Sequence, residues 1–153
     1  MSETSDVFWD YSLKIWENEN AKQLLLEYQE QQGLDINLLL FLLWISGQGM
    51  ILTASPEQVS AIQTGWLDKI IKPIRALRRE NQNISELKSR LLQAELEAER
   101  HYQKALCALL EEGAATMAPT NCDRTATIKQ NFMSFIKLDW DNEVIALMSK
   151  VSP

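Results

Sequence analysis

The chain has 153 residues, 46% of them hydrophobic and 24% charged, with a net charge of -6. A chain of this length favours one domain and buries about 70% of the surface its unfolded form exposes, so a core forms without disulfide or metal staples. Composition excludes a disordered tail, a collagen-like fibre and a disulfide mini-scaffold, and the acidic balance is opposite to the footprint of a general nucleic-acid binder.

In chain order, Phe8, Tyr11, Ser12, Ile15 and Trp16 fall on one face and predict a first helix over residues 6–17, with Ser5 as its cap. Asn18 or Asn20 caps a second helix, on which Ala21, Leu24, Leu25 and Tyr28 form the stripe and Gly33 supplies the stop. Gly33, Leu34 and Asp35 then read as a very short turn, with Asp35 as the N-cap of a third helix. Residues 36–56 contain no charged side chain, which brings the segment near the hydropathy of a membrane span. The apolar density is concentrated in Leu38 to Ile45, however, and Ser46, Gly47, Gln48 and Gly49 interrupt it. A bilayer needs about 20 unbroken apolar residues, so the prediction is a central helix buried on most of its circumference.

Ser55, Pro56 and Gln58 place a cap, a first-turn proline and a capping-box glutamine in register, starting a fourth helix that runs to about residue 79. Pro73 lacks the amide hydrogen that would bond the carbonyl of Lys69, so a kink or a break into two helices is expected there. Asn83 and Glu86 cap a fifth helix over residues 84–112, ended by Gly113. Its Ile84, Leu87, Leu91, Ala94 and Ala98 follow near-heptad spacing. Residues 114–123, marked by Pro119 and Asn121, read as a loop. Two short helices follow, one carrying Ile128, Phe132, Phe135 and Ile136, the other Trp140, Val144, Leu147 and Met148 after an Asp139 cap. No segment has a strand pattern. The fold class is all-α: an irregular bundle of six or seven helices around the apolar central helix, with one long helix in the second half. Residues 1–113 form its helical core, and 114–153 are a loop plus short helices packed on the same domain.

Catalytic constellations are absent from the pattern. The lone histidine, His101, sits mid-helix between basic neighbours, and Cys107, six residues on, points to a different face. Ser46, Gly47, Gln48 and Gly49 lack a phosphate-loop lysine, and Glu95, Glu97 and Glu99 alternate along a helix, so they are not expected to converge on a metal pair. Cys107 and Cys122 have neither metal-type nor redox-type spacing and read as reduced thiols. The first ten residues carry acids and no secretory pattern, so the expected location is cytoplasmic.

The most specific surface feature is basic. Lys69, Lys72, Arg75, Arg78 and Arg79 supply five positive charges in eleven residues without an acid, opposite an apolar half made by Leu67, Ile70, Ile71, Ile74 and Leu77. Such a face is solvated and paired with acids of neighbouring helices, or it receives an anionic partner; duplex nucleic acid fits it least. Five tryptophans stand at positions 9, 16, 44, 66 and 140. Trp44 and Trp66 lie on apolar faces of successive helices, where they fill the core or line a pocket for an apolar ligand.

The block Phe8-Trp9-Asp10-Tyr11-Ser12 is followed by Gly33 to Leu40, Leu43-Trp44, Trp66, and the run Pro73-Ile74-Arg75-Ala76-Leu77-Arg78-Arg79. In order and spacing these blocks resemble an uncharacterised family of short proteobacterial proteins, domain of unknown function 2390, over about the first two thirds of the chain. The resemblance implies a helical, cytoplasmic bacterial protein and brings no mechanism. It draws Asp35, Asn37, Arg75, Arg78 and Arg79 together, with the expectation that Asp35 or Asn37 orients one arginine and leaves the others to an anion. The leading expectation is a non-enzymatic protein acting through contacts with another protein or with itself, as a homodimer on the long helix. The alternative is a binding module for an apolar or amphipathic anionic molecule, with Trp44 and Trp66 in the pocket and Arg75 and Arg78 at its mouth. No cofactor, metal or nucleic acid is expected, and a membrane surface is a minor candidate through the basic helix.

Overall fold

Twelve residues without a charge set the centre of the structure, a computed structural model that describes residues 3–137, 145 and 148–150. They form α3 (Ile36–Gly47), in which nine side chains are buried, so the helix is covered on nearly its whole circumference. Each large apolar side chain there contributes about 2 kcal/mol of gross burial energy. Asp35 caps it as expected, its Oδ1 accepting from the Leu38 amide at 3.3 Å. Gly33 stops the preceding helix with φ of 66°, the left-handed conformation only glycine takes freely, so the chain turns in three residues.

Two helices lead into this centre. α1 (Glu3–Glu17) begins earlier than the expected residue 6, which puts Ser5 inside the helix rather than at its cap. α2 (Glu19–Gln32) is capped by Asn18, whose side chain accepts from the Ala21 amide. Phe8 of α1 stacks on Trp44 of α3 at 5.1 Å and meets Phe41 edge-on at 5.6 Å, fixing α1 across the central helix.

Beyond α3 the chain makes a strand that its sequence does not announce. β1 (Met50–Leu52) pairs antiparallel with β2 (Ala115–Met117), Ile51 opposite Thr116, so part of the expected loop 114–123 is strand. Three residues are too few to show an alternating pattern. The pairing is pinned from below by Asn131 of α7 (Arg124–Phe135), fully buried, whose Oδ1 accepts from Leu52 N–H at 3.0 Å. Its Nδ2 donates to Ser46 Oγ at 2.8 Å and to the Met50 carbonyl at 3.0 Å.

The capping box at Ser55 forms, and α4 (Pro56–Gln63) runs into a π-helical segment (Thr64–Ile71) and then α5 (Lys72–Glu80). The expected kink or break at Pro73 is thus replaced by a wide turn upstream. Lys72 N–H donates five residues back, to the Leu67 carbonyl, and Pro73 occupies the first turn of α5, where a missing donor costs least. α6 (Ser85–Glu111) returns antiparallel to α5. The expected Asn83 cap is not made: Ile84 holds the N-cap position without a side-chain bond. Gly113, at φ of 80°, follows the end of α6 as expected.

Among the described residues the architecture is seven α-helices and one small two-stranded sheet, mostly all-α as predicted. Ile145 and Met148 are buried in the core. The expected last helix, with Trp140 and Leu147, lies largely outside the described residues. No described helix is long and apolar enough to cross a membrane.

Candidate functional site

Arg75 and Arg78 lie three residues apart on α5, and Glu95 and Glu99 four apart on α6, spacings that put each pair on one helix face. Because the helices run antiparallel, the two faces meet. Arg75 Nε donates to Glu95 Oε1 at 2.8 Å and its Nη2 to Glu99 Oε1 at 3.1 Å, while Arg78 Nε donates to Glu95 Oε2 at 2.6 Å. Glu95 is only 6% exposed, and both arginines are less than a quarter exposed. Burial pushes the Glu95 carboxyl up, but the hydrogen bonds from Arg78 and Arg75 outweigh it and hold the group below the usual range. Glu99 goes the other way: its burial exceeds the attraction of Arg75 and raises it.

The expected anion site at Arg75 and Arg78 is therefore filled by the chain's own carboxylates. Lys72 is exposed and pairs with Asp68 at 3.1 Å, and Arg79 stands exposed on the outer side. The expectation that glutamates on α6 do not converge is also corrected: Glu95 and Glu99 both reach Arg75, gathering cations rather than a metal. The spacing of the four charges was the sequence signal.

Asp35 and Asn37 meet α6, not an arginine. Tyr102 donates its hydroxyl to Asp35 Oδ2 in a short hydrogen bond, Gln63 Nε2 donates to the same oxygen at 3.0 Å, and Gln103 Nε2 donates to Asn37 Oδ1 at 2.9 Å. Burial raises the Asp35 carboxyl against the lowering pull of these bonds. Burial also raises the Tyr102 phenol, with the Asp35 charge adding to it, so the phenol stays protonated as a donor. Asp35 and Gln63 face a cleft of about 290 Å³ that also touches Asp68, Lys72 and Lys137. A second cleft, of about 210 Å³, lies between Asp6, Glu97, Arg100 and Lys104.

Trp44 and Trp66 line neither cleft. Trp44 is half-buried on Phe8, and Trp66 stacks on His101 at 5.6 Å with its ring nearly parallel. The shared pocket expected for them is not formed, because each ring is taken up by an aromatic neighbour. Among the described residues no three His, Cys, Asp or Glu side chains are grouped to hold a metal ion. Cys107 is buried, its thiol pushed up to about 12 by burial and by Glu111, which leaves it a poor nucleophile.

What projects into solvent is the α5–α6 hairpin. From residue 82 to 94 every side chain but Leu91 is exposed, including Ile84 at 49% and Leu87 at 38%, and Leu77 of α5 is 49% exposed. Leu87, Leu91 and Ala94 recur at spacings of four and three along one edge of α6. Leu92 and Leu96, 42% and 44% exposed, stand on the far side of α6 from Ala94. The hairpin thus carries exposed apolar side chains on more than one side and is held together by ion pairs where its arms meet. Sequence periodicity found part of this surface as a near-heptad stripe, of which Leu91 is half-buried and Ala98 buried.

No curated protein and no solved structure matches the chain. A family model described as "protein of unknown function (DUF2390)" matches residues 7–106, from α1 through most of α6 and including the whole hairpin. The chain belongs to this family, as the blocks at Phe8, Gly33, Trp66 and Pro73 implied.

Proposed function

We propose that the chain is a non-enzymatic, cytoplasmic helical protein that works through protein contacts made by the α5–α6 hairpin. The observation that carries this reading is the set of large apolar side chains, Leu77, Ile84, Leu87, Leu92 and Leu96, exposed on that one hairpin. Single exposed leucines are ordinary, but several on one hairpin mark a surface that another helix can cover. The buried Glu95 with its two arginines supports the same reading. It ties the two arms together where they meet, so the hairpin is already in shape when a partner arrives.

The test is photo-crosslinking in cells, with a photoreactive amino acid at position 87 and, as control, at the equally exposed Leu26 of α2. Adducts concentrated at position 87 are expected. Equal yields at the two positions, or none at 87, would contradict the reading.

A further inference from the structure

We infer that the cleft between the start of α3, the π-helical segment and the end of α7 binds a small dipolar molecule, its ammonium group at Asp35 and its carboxylate at Lys72 and Lys137. The cleft shares no residue with the exposed leucines of the hairpin, so this site is additional to the docking reading. Asp35 carries the argument. Its carboxylate is partly buried and held by three neutral donors, the Leu38 amide, Gln63 and Tyr102. Among the described residues no lysine, arginine or histidine forms an ion pair with it. Burial is what raises this carboxyl, and a carboxylate taken out of water is stabilised by a cation brought to it. Gln63 donates to Asp35 through Nε2, which leaves its amide oxygen as a further acceptor beside that carboxylate.

The mouth of the cleft has the opposite sign. Lys72 and Lys137 line it and are exposed, and Lys72 is paired only with the exposed Asp68, a contact that a ligand carboxylate replaces at little cost. The lining thus carries two acids and two lysines, so a neutral molecule with separated charges fits it better than a simple anion or cation. Length agrees with charge. The Lys72 ammonium lies beside Asp68, five residues beyond Gln63 along the helix, and so stands about 7 Å from the level of Asp35 by the helical rise. An ammonium and a carboxylate joined by about four methylenes span that distance at ordinary bond lengths. Leu67 and Phe135 give the methylenes an apolar wall, and the volume of about 290 Å³ is at the lower end for small-molecule sites. The wall that carries Thr64, Leu67 and Asp68 is the π-helical segment, a form that recurs at functional sites.

The probe is 5-aminopentanoate, titrated into the purified, isotopically labelled full chain and followed by its amide shifts. Saturable shifts at Asp35, Thr64 and Ile136 are expected at about millimolar concentration. Pentylamine and pentanoate, which lack one charge each, are expected to bind about tenfold more weakly, and Asp35→Asn weakens the probe by about the same factor. Because Asp35 also serves the fold, a second arm uses exposed side chains that leave the helical circular dichroism unchanged. Lys72→Gln combined with Lys137→Gln weakens the probe about fivefold and leaves pentylamine bound no more weakly. No saturable shift even at about 50 mM probe overturns the site, as do shifts confined to other parts of the chain. Equal binding of pentylamine or pentanoate, or indifference of the probe to the lysine changes, overturns the dipolar ligand.

Discussion

Asp35 carries more bonds than any cap requires. It accepts from the Leu38 amide, from Gln63 and from the Tyr102 hydroxyl, so one carboxylate ties the start of α3 to α4 and α6. Asp35→Ala removes the cap and leaves two buried donors without an acceptor, for an expected loss of about 3 kcal/mol in denaturant unfolding. Asp35→Asn keeps the cap and costs less. It also changes the pH dependence, and the sign follows from the raised carboxyl. Between the ordinary value of 3.8 and the higher folded value, the native state holds more protons than the unfolded one, so stability falls as pH rises from about 4. Unfolding curves should show a steeper decline in the wild type than in Asp35→Asn, which keeps only the part due to the raised Glu99. Glu95 has the opposite sign: its contribution is present above the ordinary 4.5 and is lost on acidification through its lowered folded value. Glu95→Ala leaves Arg78 without its carboxylate and Arg75 with Glu99 alone and is expected to cost about 3 kcal/mol, against about 1 kcal/mol for Arg78→Ala, which leaves Glu95 still held by Arg75. Chemical denaturation of the two variants separates the cases.

At the scale of elements, the helices and most of their ends were legible because each carries a local signal. Asn18, Asp35 and Ser55 cap, Gly33 and Gly113 stop, and the uncharged run makes α3. What was hidden depends on contacts distant in sequence. The β1–β2 pair joins segments more than sixty residues apart and borrows its buried bonds from Asn131, a polar residue that no periodicity singles out. Asn131→Ala strips the partners from Leu52 N–H and the Met50 carbonyl and leaves a void under the sheet. We expect a loss of about 3 kcal/mol, with faster hydrogen exchange at the Leu52 amide than at amides in α6. The π segment was hidden for a related reason: Pro73 announces a disturbance, but its accommodation upstream is set by the packing of α4 and α5 on α6. At the site, the basic run was visible and its acceptors were not, since pairing Arg75 and Arg78 with Glu95 and Glu99 requires the antiparallel return of α6.

For the whole molecule, the net charge of -6 hides a division of labour. Arg75 and Arg78 of the basic helix are turned inward on α6 carboxylates and stiffen the hairpin, which exposes Leu77, Ile84, Leu87, Leu92 and Leu96. An arm that exposes this many apolar side chains costs solubility unless something covers it. The most direct measurement is the yield of protein crosslinks at position 87 against position 26 in cells, because the two leucines are equally exposed and only the first lies on the hairpin. The account predicts adducts concentrated at position 87; equal yields at the two positions, or none at 87, would contradict it.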